Sequence, residues 1–278
     1  MDKPICLITG ATDGIGKVTA AALAREGYTV VLAARSEAKA AAVTSEIVAA
    51  TGNRDVDYLT ADLRSLSQLH RLADAFTARH PRLDVLLNNA GVVMPRRELT
   101  EDGYETTFQV NYLAHFYLTQ LLLGALEASP QGRVINLSSS VYRAGKFEPD
   151  NLQGERRFST IGAYAASKLC VLLFTIELAQ RLGPARVTAN AVHPGVVRTP
   201  MMRGAEGIFR AISYAALPFS RSAEKGAATS VFLAGSPDAS RVSGQYFANA
   251  KPKKVKTAHN TPENRDRLWN LSMDACRL

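Results

Sequence analysis

The chain has 278 residues, 46% of them hydrophobic and 21% charged, the balance of a globular protein able to bury a sizeable core rather than of a low-complexity or fibrous chain. Its net charge of +8 and isoelectric point near 9.5 raise nucleic acid or an anionic surface as partners. The basic residues are scattered, however, dense only over residues 251–256, and a basic total without a stripe argues against nucleic acid. Cys6, Cys170 and Cys276 have no metal-ligand spacing and leave one thiol over in any disulfide scheme, so free thiols in a reducing compartment are expected, and no metal site. The sequence as read has no signal peptide before its first strand, and no uninterrupted apolar run appears long enough to span a bilayer. The expected location is therefore cytoplasmic, without a transmembrane segment.

In chain order, residues 4–9 read as a short buried strand that runs into Thr9-Gly10-Ala11-Thr12-Asp13-Gly14-Ile15-Gly16, followed by an alanine-rich helical stretch. Strand, glycine-rich turn and helix make a phosphate cradle. Gly10 permits the tight turn, Gly14 admits the backbone to a pyrophosphate, Gly16 lets helix and strand pack closely, and the helix N-terminus offers free N–H groups and a positive dipole end. A second strand over 28–33 ends in Ala34-Arg35-Ser36. An acid there would bind ribose hydroxyls, whereas an arginine accommodates a 2′-phosphate, so Arg35 predicts NADP(H) over NAD(H). The strand over 56–61 ends in Asp62-Leu63, placed for the adenine edge. A helix over 65–79, a strand over 83–87 and the turn Asn88-Asn89-Ala90-Gly91 follow. This alternation predicts a doubly wound parallel sheet.

Residues 107–123 read as a mostly apolar helix holding Asn111, and 132–137 as a strand ending in Ser138-Ser139-Ser140. Tyr164 and Lys168 lie four apart at the start of a helical pattern, so a phenol and an ammonium share one face. The nearby positive charge is expected to lower the phenol pKa and fit it for general acid–base work. The strand over 186–192 leads into His193-Pro194-Gly195, a rigid turn at the carboxyl end where ligands of such sheets bind; His193 is read as structural. Residues 201–220, with Met202, Phe209, Ile212, Tyr214, Leu217 and Phe219, are either a mobile lid over an apolar pocket or a packed surface helix. Residues 251–256 read as a solvated loop, with an acidic partner or membrane surface as the alternative, and 262–273 as a final helix carrying Leu268 and Trp269.

Thr9-Gly-x-x-x-Gly-Ile-Gly16, Asn88-Asn-Ala-Gly91, the Tyr164/Lys168 pair and Pro194-Gly195, in that order, resemble the short-chain dehydrogenase/reductase superfamily over nearly the whole chain. Lys17, Asn151-Leu-Gln-Gly-Glu-Arg156, Ser167-Lys-Leu169 with Leu173-Phe174, and Ser243-Gly-Gln-Tyr-Phe247 resemble its retinol-dehydrogenase-like branch, which includes many broad carbonyl reductases. Many members of that branch carry an N-terminal hydrophobic anchor that this sequence does not show. The resemblance implies a single-domain α/β Rossmann fold over 1–278 with a mostly parallel seven-stranded sheet and helices on both faces. Residues 4–91 would form the dinucleotide-binding half, and 92–278 the catalytic and substrate-binding half with a lid at about 200–220.

It further implies hydride transfer between a nicotinamide and a carbonyl or alcohol of an apolar substrate. Tyr164 exchanges the proton, Ser139 orients the oxygen, Lys168 lowers the phenol pKa and binds ribose, and Asn111 holds a relay water. Ser138 lies beside the nicotinamide and Asn89, Ala90 and Gly91 along the cofactor, while Val197 and Thr199 hold the carboxamide. The polar insert over 140–163 covers one side of the site. A non-catalytic NADP(H)-binding regulator or scaffold on the same fold is the alternative, and a nucleic-acid binder the remote one. Helices 107–123 and 167–182 are apolar over more than one stripe, so a homodimer or homotetramer is expected.

Overall fold

The computed structural model describes residues 3–183, 186–197 and 220–278, and the structural statements below concern these. They form one sheet in the order β3-β2-β1-β4-β5-β6-β7-β8. The strands are β1 (Ile5–Thr9), β2 (Thr29–Ala34), β3 (Val56–Thr60), β4 (Val85–Asn88), β5 (Arg133–Leu137), β6 (Thr188–His193), β7 (Tyr246–Ala248) and β8 (Lys251–Lys253). All pairings are parallel except β7 with β8. Strands β1, β2, β4 and β5 are buried almost throughout, as the near-continuous Val/Ile/Leu runs require of a sheet covered on both faces.

The eighth strand corrects the expectation of seven. Residues read as a solvated loop instead pair with the sheet edge, Pro252 opposite Phe247, with Lys251 and Lys253 exposed. Proline and lysine suit an edge because they deter a further strand from adding.

Helices α1 (Gly14–Arg25), α2 (Glu37–Thr51) and α7 (Ala223–Gly235) cover one face through Leu23, Ile47 and Leu233. The other face takes α3 (Leu66–Arg79), α4 (106–121), the short α5 (Leu123–Glu127), α6 (Thr160–Leu182) and α8 (Pro262–Cys276), through Phe76, Phe116, Phe174 and Leu268. Side-chain caps fix where several start: Ser36 accepts from Lys39 N, Ser65 from Gln68 N, Ser159 from Gly162 N and Thr261 from Asn264 N.

The expected regular helix over 107–123 is not regular. It opens under a buried cap, Glu105, whose carboxylate accepts from Thr107 N and Phe108 N at 2.8 and 2.7 Å. It continues as a π-helical turn, Gln109–Leu113, around Asn111, runs on as Ala114–Leu121, and breaks at Leu122. A π turn shifts the hydrogen-bond ladder by one residue and is often found at functional sites.

Helix α6 is long and apolar enough to cross a bilayer by length and mean hydropathy, 1.6, which the sequence reading did not credit. Here it is a core helix, buried along residues 167–175. Burial also accounts for the cysteines: all three are free and buried, and it pushes Cys170 and Cys276 up to about 12 and Cys6 higher still, so they are inert thiols.

The second apolar face of α4 and α6, the basis for expecting an oligomer, is partly covered within the chain. Helix α8 lays Trp269 against Phe116 and Phe174 at ring-centroid distances of 5.2 and 6.1 Å, and Tyr112 and Ser272 hydrogen-bond at 2.6 Å. Arg265 reaches Glu177 and Gln180, and Arg181 stacks over Trp269 at 4.4 Å. Leu268 is 1% exposed in this contact. Leu268→Ala should lower stability by about 2–5 kcal/mol, as deletions of a buried leucine do, seen as a lower urea midpoint at unchanged slope.

Candidate active site

The chain order reverses between β1 and β4, which opens a crevice at the carboxyl ends of the strands, where ligands of doubly wound sheets bind. The two turns that border it are bolted together. Thr9 Oγ1 accepts from Asn89 N and Ala90 N at 2.9 and 3.0 Å, and Asn89 Nδ2 donates to Thr9 O and Gly10 O at 2.8 and 3.1 Å. A Cβ on Gly10, at φ +63°, would stand 2.9 Å from Ala90 Cα, and one on Gly16 would stand 2.5 Å from Asn89 Nδ2 and from Gly10 O. Both glycines therefore serve the junction of the two turns. Gly14, at φ +51°, follows Asp13, whose carboxylate caps α1 by accepting from Gly14 N at 2.7 Å.

The crevice holds a cavity of about 580 Å³. Thr12, Asp13, Gly14 and Ile15 line one wall, Asn89, Ala90 and Gly91 the floor, and Pro194, Gly195 and Val197 the far wall. Arg35, Asp62 and Leu63 stand at one end; Ser138, Ser139, Tyr164 and Lys168 stand at the other. Gly16 and Asn111 are the described site residues that do not line it, and Thr199 and the region expected to be a lid, 201–219, lie outside the described residues. Sequence reading missed Arg64, although a second basic residue follows Asp62-Leu63 directly. Its guanidinium grips Asp62 with Nη2···Oδ2 at 2.7 Å. Burial pulls the Asp62 carboxyl up, but the Arg64 hydrogen bonds and the charges of Arg64 and Arg35 outweigh it and leave it below its ordinary range. Arg35 itself is exposed and makes no hydrogen bond or ion pair among the described residues.

At the opposite end, Tyr164 is half-buried on the first turns of α6, and its side chain hydrogen-bonds that of Ser139. Ser139 also caps the short 3-10 turn Ser140–Ala144, accepting from Val141 N at 3.3 Å. Lys168 is buried and donates from Nζ to Leu137 O at 2.8 Å, and its ammonium sits 5.8 Å from the centre of the Tyr164 ring. Burial lowers Lys168 to about 8. Burial raises the Tyr164 phenol to about 12, with the Ser139 hydrogen bond pulling the other way. This is opposite to the expected direction for the phenol: desolvation outweighs the Ser139 hydrogen bond, while the ammonium is engaged by Leu137 O.

Ser138 and Asn111 also tie chain segments together. Ser138 Oγ donates to Lys168 O at 2.9 Å, tying the end of β5 to α6. The Asn111 side chain accepts from Val92 N at 2.7 Å and donates to Val92 O and Ser167 Oγ, both at 3.0 Å, so its amide joins three segments. His193 Nδ1 accepts from Ser140 N at 3.2 Å, and burial with the charges of Arg221 and Arg143 holds its ring neutral, down to about 4. It props the serine turn, as a structural residue would.

The cradle fits a nicotinamide dinucleotide. A glycine turn and a helix N-terminus flank the middle of the cavity, cations stand at one end, and a phenol, a hydroxyl and an ammonium converge at the other.

Residues 4–207 match the family model of the short chain dehydrogenases. Retinol dehydrogenase 12 of Mus musculus is 42% identical over 273 residues, which cover 97% of this chain and 85% of that protein. Among solved structures, a protein of Mycobacterium paratuberculosis is similar with a TM-score of 0.78 at 29% identity, over 99% of this chain and 96% of that one. A short chain dehydrogenase of Escherichia coli CFT073 complexed with NADPH has a TM-score of 0.72 at 32% identity, over 90% of this chain and 98% of its own. The motifs, the topology and these likenesses agree, and the chain belongs to the short-chain dehydrogenase/reductase family, as a retinol-dehydrogenase-like oxidoreductase.

Proposed function

We propose that this chain is an NADP(H)-dependent reductase of aldehydes and ketones on apolar skeletons, the reverse oxidation of alcohols running through the same groups. The observation that carries the reading is the convergence of Tyr164, Ser139 and Lys168 at one end of the cavity, with the phenol held protonated by burial. The bound nicotinamide supplies the hydride. Ser139 orients the carbonyl oxygen by hydrogen bonding, beside the phenol it already meets. Tyr164 then donates its proton to the developing alkoxide, a step suited to an acid that stays protonated at neutral pH. Lys168 replenishes that proton from behind and holds ribose. Val92, Val141, Ile161 and Val196 give this end an apolar wall that excludes water and suits a hydrocarbon substrate. The name of the relative in Mus musculus makes retinal a sensible member of a substrate panel.

Two observations support NADP(H) over NAD(H). Among the described residues Arg35 makes no hydrogen bond or ion pair, and it lines the cavity together with Arg64, which is held by Asp62. The similar structure from Escherichia coli CFT073 is complexed with NADPH. Asp13 at the helix N-terminus opposes an anion, so the attraction must come from these arginines.

Arg35→Asp should weaken NADPH binding about 10–100-fold, the worth of one charge-assisted contact, and raise the NADH/NADPH ratio of kcat/KM. A parent enzyme that prefers NADH would refute the assignment of Arg35.

Tyr164→Phe keeps the ring and removes the proton. Turnover should fall by about 10²–10⁴-fold while NADPH binding, read by fluorescence titration, survives. Lys168→Ala should lower turnover and cofactor affinity together. Near-parental turnover by the phenylalanine variant would overturn the mechanism. A parent that binds NADPH and reduces no member of a broad carbonyl panel would point to a regulator or scaffold.

A further inference from the structure

Behind the reacting end, α4 and α6 run side by side in the same direction, and polar rungs join them. Asn111 pairs with Ser167 at the upper rung. At the lower one, Asn88 Nδ2 donates to Thr119 Oγ1 and to Asn136 Oδ1 at 3.1 and 2.8 Å, and Asn136 Nδ2 donates to Thr175 Oγ1 at 3.0 Å. Between them lies His115, one turn from Asn111 and one from Thr119, and therefore on the same helix face. It is 1% exposed, and among the described residues neither ring nitrogen makes a hydrogen bond of ordinary geometry, the Asn111 backbone one turn back being the acceptor that acts on the ring. Asn88 Oδ1 is likewise buried without a partner. The two residues share Thr119 as a neighbour, since Thr119 Oγ1 donates to His115 O at 2.7 Å while accepting from Asn88. A buried polar atom left unpaired is costly, and two such groups that share a neighbour are a setting for an internal water.

We propose that His115 and Asn88 Oδ1 bind a buried water between the two rungs, and that through it His115 positions Lys168. This water is separate from one held at Asn111. Lys168 follows Ser167 of the upper rung, and its Nζ has donors to spare beyond the one given to Leu137 O. Lys168 is also the charged group whose field acts on His115. Burial first, and then that ammonium, keep the imidazole neutral against the opposing pull of the Asn111 backbone, with a pKa of about 3. A neutral ring has one donor and one acceptor nitrogen, so it can orient a water toward the lysine without adding a competing charge. His115 is thus a positioning residue. That role rests on the reading of Lys168 as the proton relay, whereas the water does not.

The water is tested first on the unmodified full chain, in a crystal structure fine enough to show ordered solvent. A peak within hydrogen-bond distance of a His115 ring nitrogen and Asn88 Oδ1 is expected. A dry gap, or direct contact between the two side chains, overturns the proposal. The role of His115 is tested with His115→Leu, which fills the space without polar atoms, and His115→Gln, which can hold a water. With a carbonyl that the parent reduces, His115→Leu should lower kcat about 10–100-fold, the scale of a misplaced catalytic group. KM for NADPH and for the carbonyl should stay unchanged, the solvent deuterium isotope effect should grow, and His115→Gln should recover most of the rate. Parental kcat in the leucine variant, or equal losses in both, overturns the positioning role. A parent that reduces no carbonyl defeats the proposed function instead, and the solvent peak still decides the water.

Discussion

A buried ammonium is the constraint around which the reacting end is arranged. Lys168 lies buried on a largely apolar helix, and removing such a charge from water costs on the order of several kcal/mol unless its donors are met. Leu137 O meets one of them, so the carboxyl end of β5 must stay against α6. Ser138 returns the bond by donating to Lys168 O, and Ser139, next along, is thereby held at Tyr164. Asn111 then fixes Ser167, one residue before the lysine, to the segment after β4. The serine, the phenol and the ammonium thus converge because satisfying one buried charge dictates where three chain segments sit.

The same economy operates at the other turn. Asn89 and Ala90 donate four hydrogen bonds to Thr9 and Gly10 across the β1 and β4 ends, and the glycines at 10 and 16 leave no atom in the way. A cradle built this way has its shape before any ligand arrives, so little binding energy is spent on ordering it. Asp13 completes the helix start as a cap, a role that stabilises α1 and sets a negative charge where a phosphate approaches. The cations that offset it come from β2 and from the turn after β3, at Arg35 and Arg64.

The sequence made legible whatever is carried by local chemistry. Apolar runs and glycine turns placed β1 to β6 to within about two residues, and Gly10, Gly14, Tyr164 and Lys168 signalled their cradle and helix face by spacing alone. What escaped was set by partners distant in the chain. The π turn around Asn111 and the break at Leu122 leave no mark in an apolar pattern. The edge strand at 251–253 reads as a loop because lysine and proline suit an edge exposed to water. Arg64 was overlooked because its importance comes from standing beside Arg35, on a different strand's loop. His115 and Asn88 look like ordinary core residues until the rungs above and below them are seen.

The direction of the Tyr164 shift shows how tertiary context overrides a local rule. Four residues of helix bring an ammonium to the phenol's side, and that proximity alone argues for a lower pKa. Burial acts on both groups at once, however, disfavouring the phenolate and the ammonium alike, and it prevails for both. On the proposed reading the two ends of the cavity therefore work in different electrostatic regimes. At the reacting end the ammonium is buried and the phenol half-buried, so salt acts on them less than on surface charges. The anchoring end, with Arg35 exposed and Arg64 half in water, attracts an anion through screened charge. Ionic strength should act on cofactor capture at the arginines and leave proton transfer at Tyr164 almost untouched, because only one of the two steps takes place within reach of solvent ions.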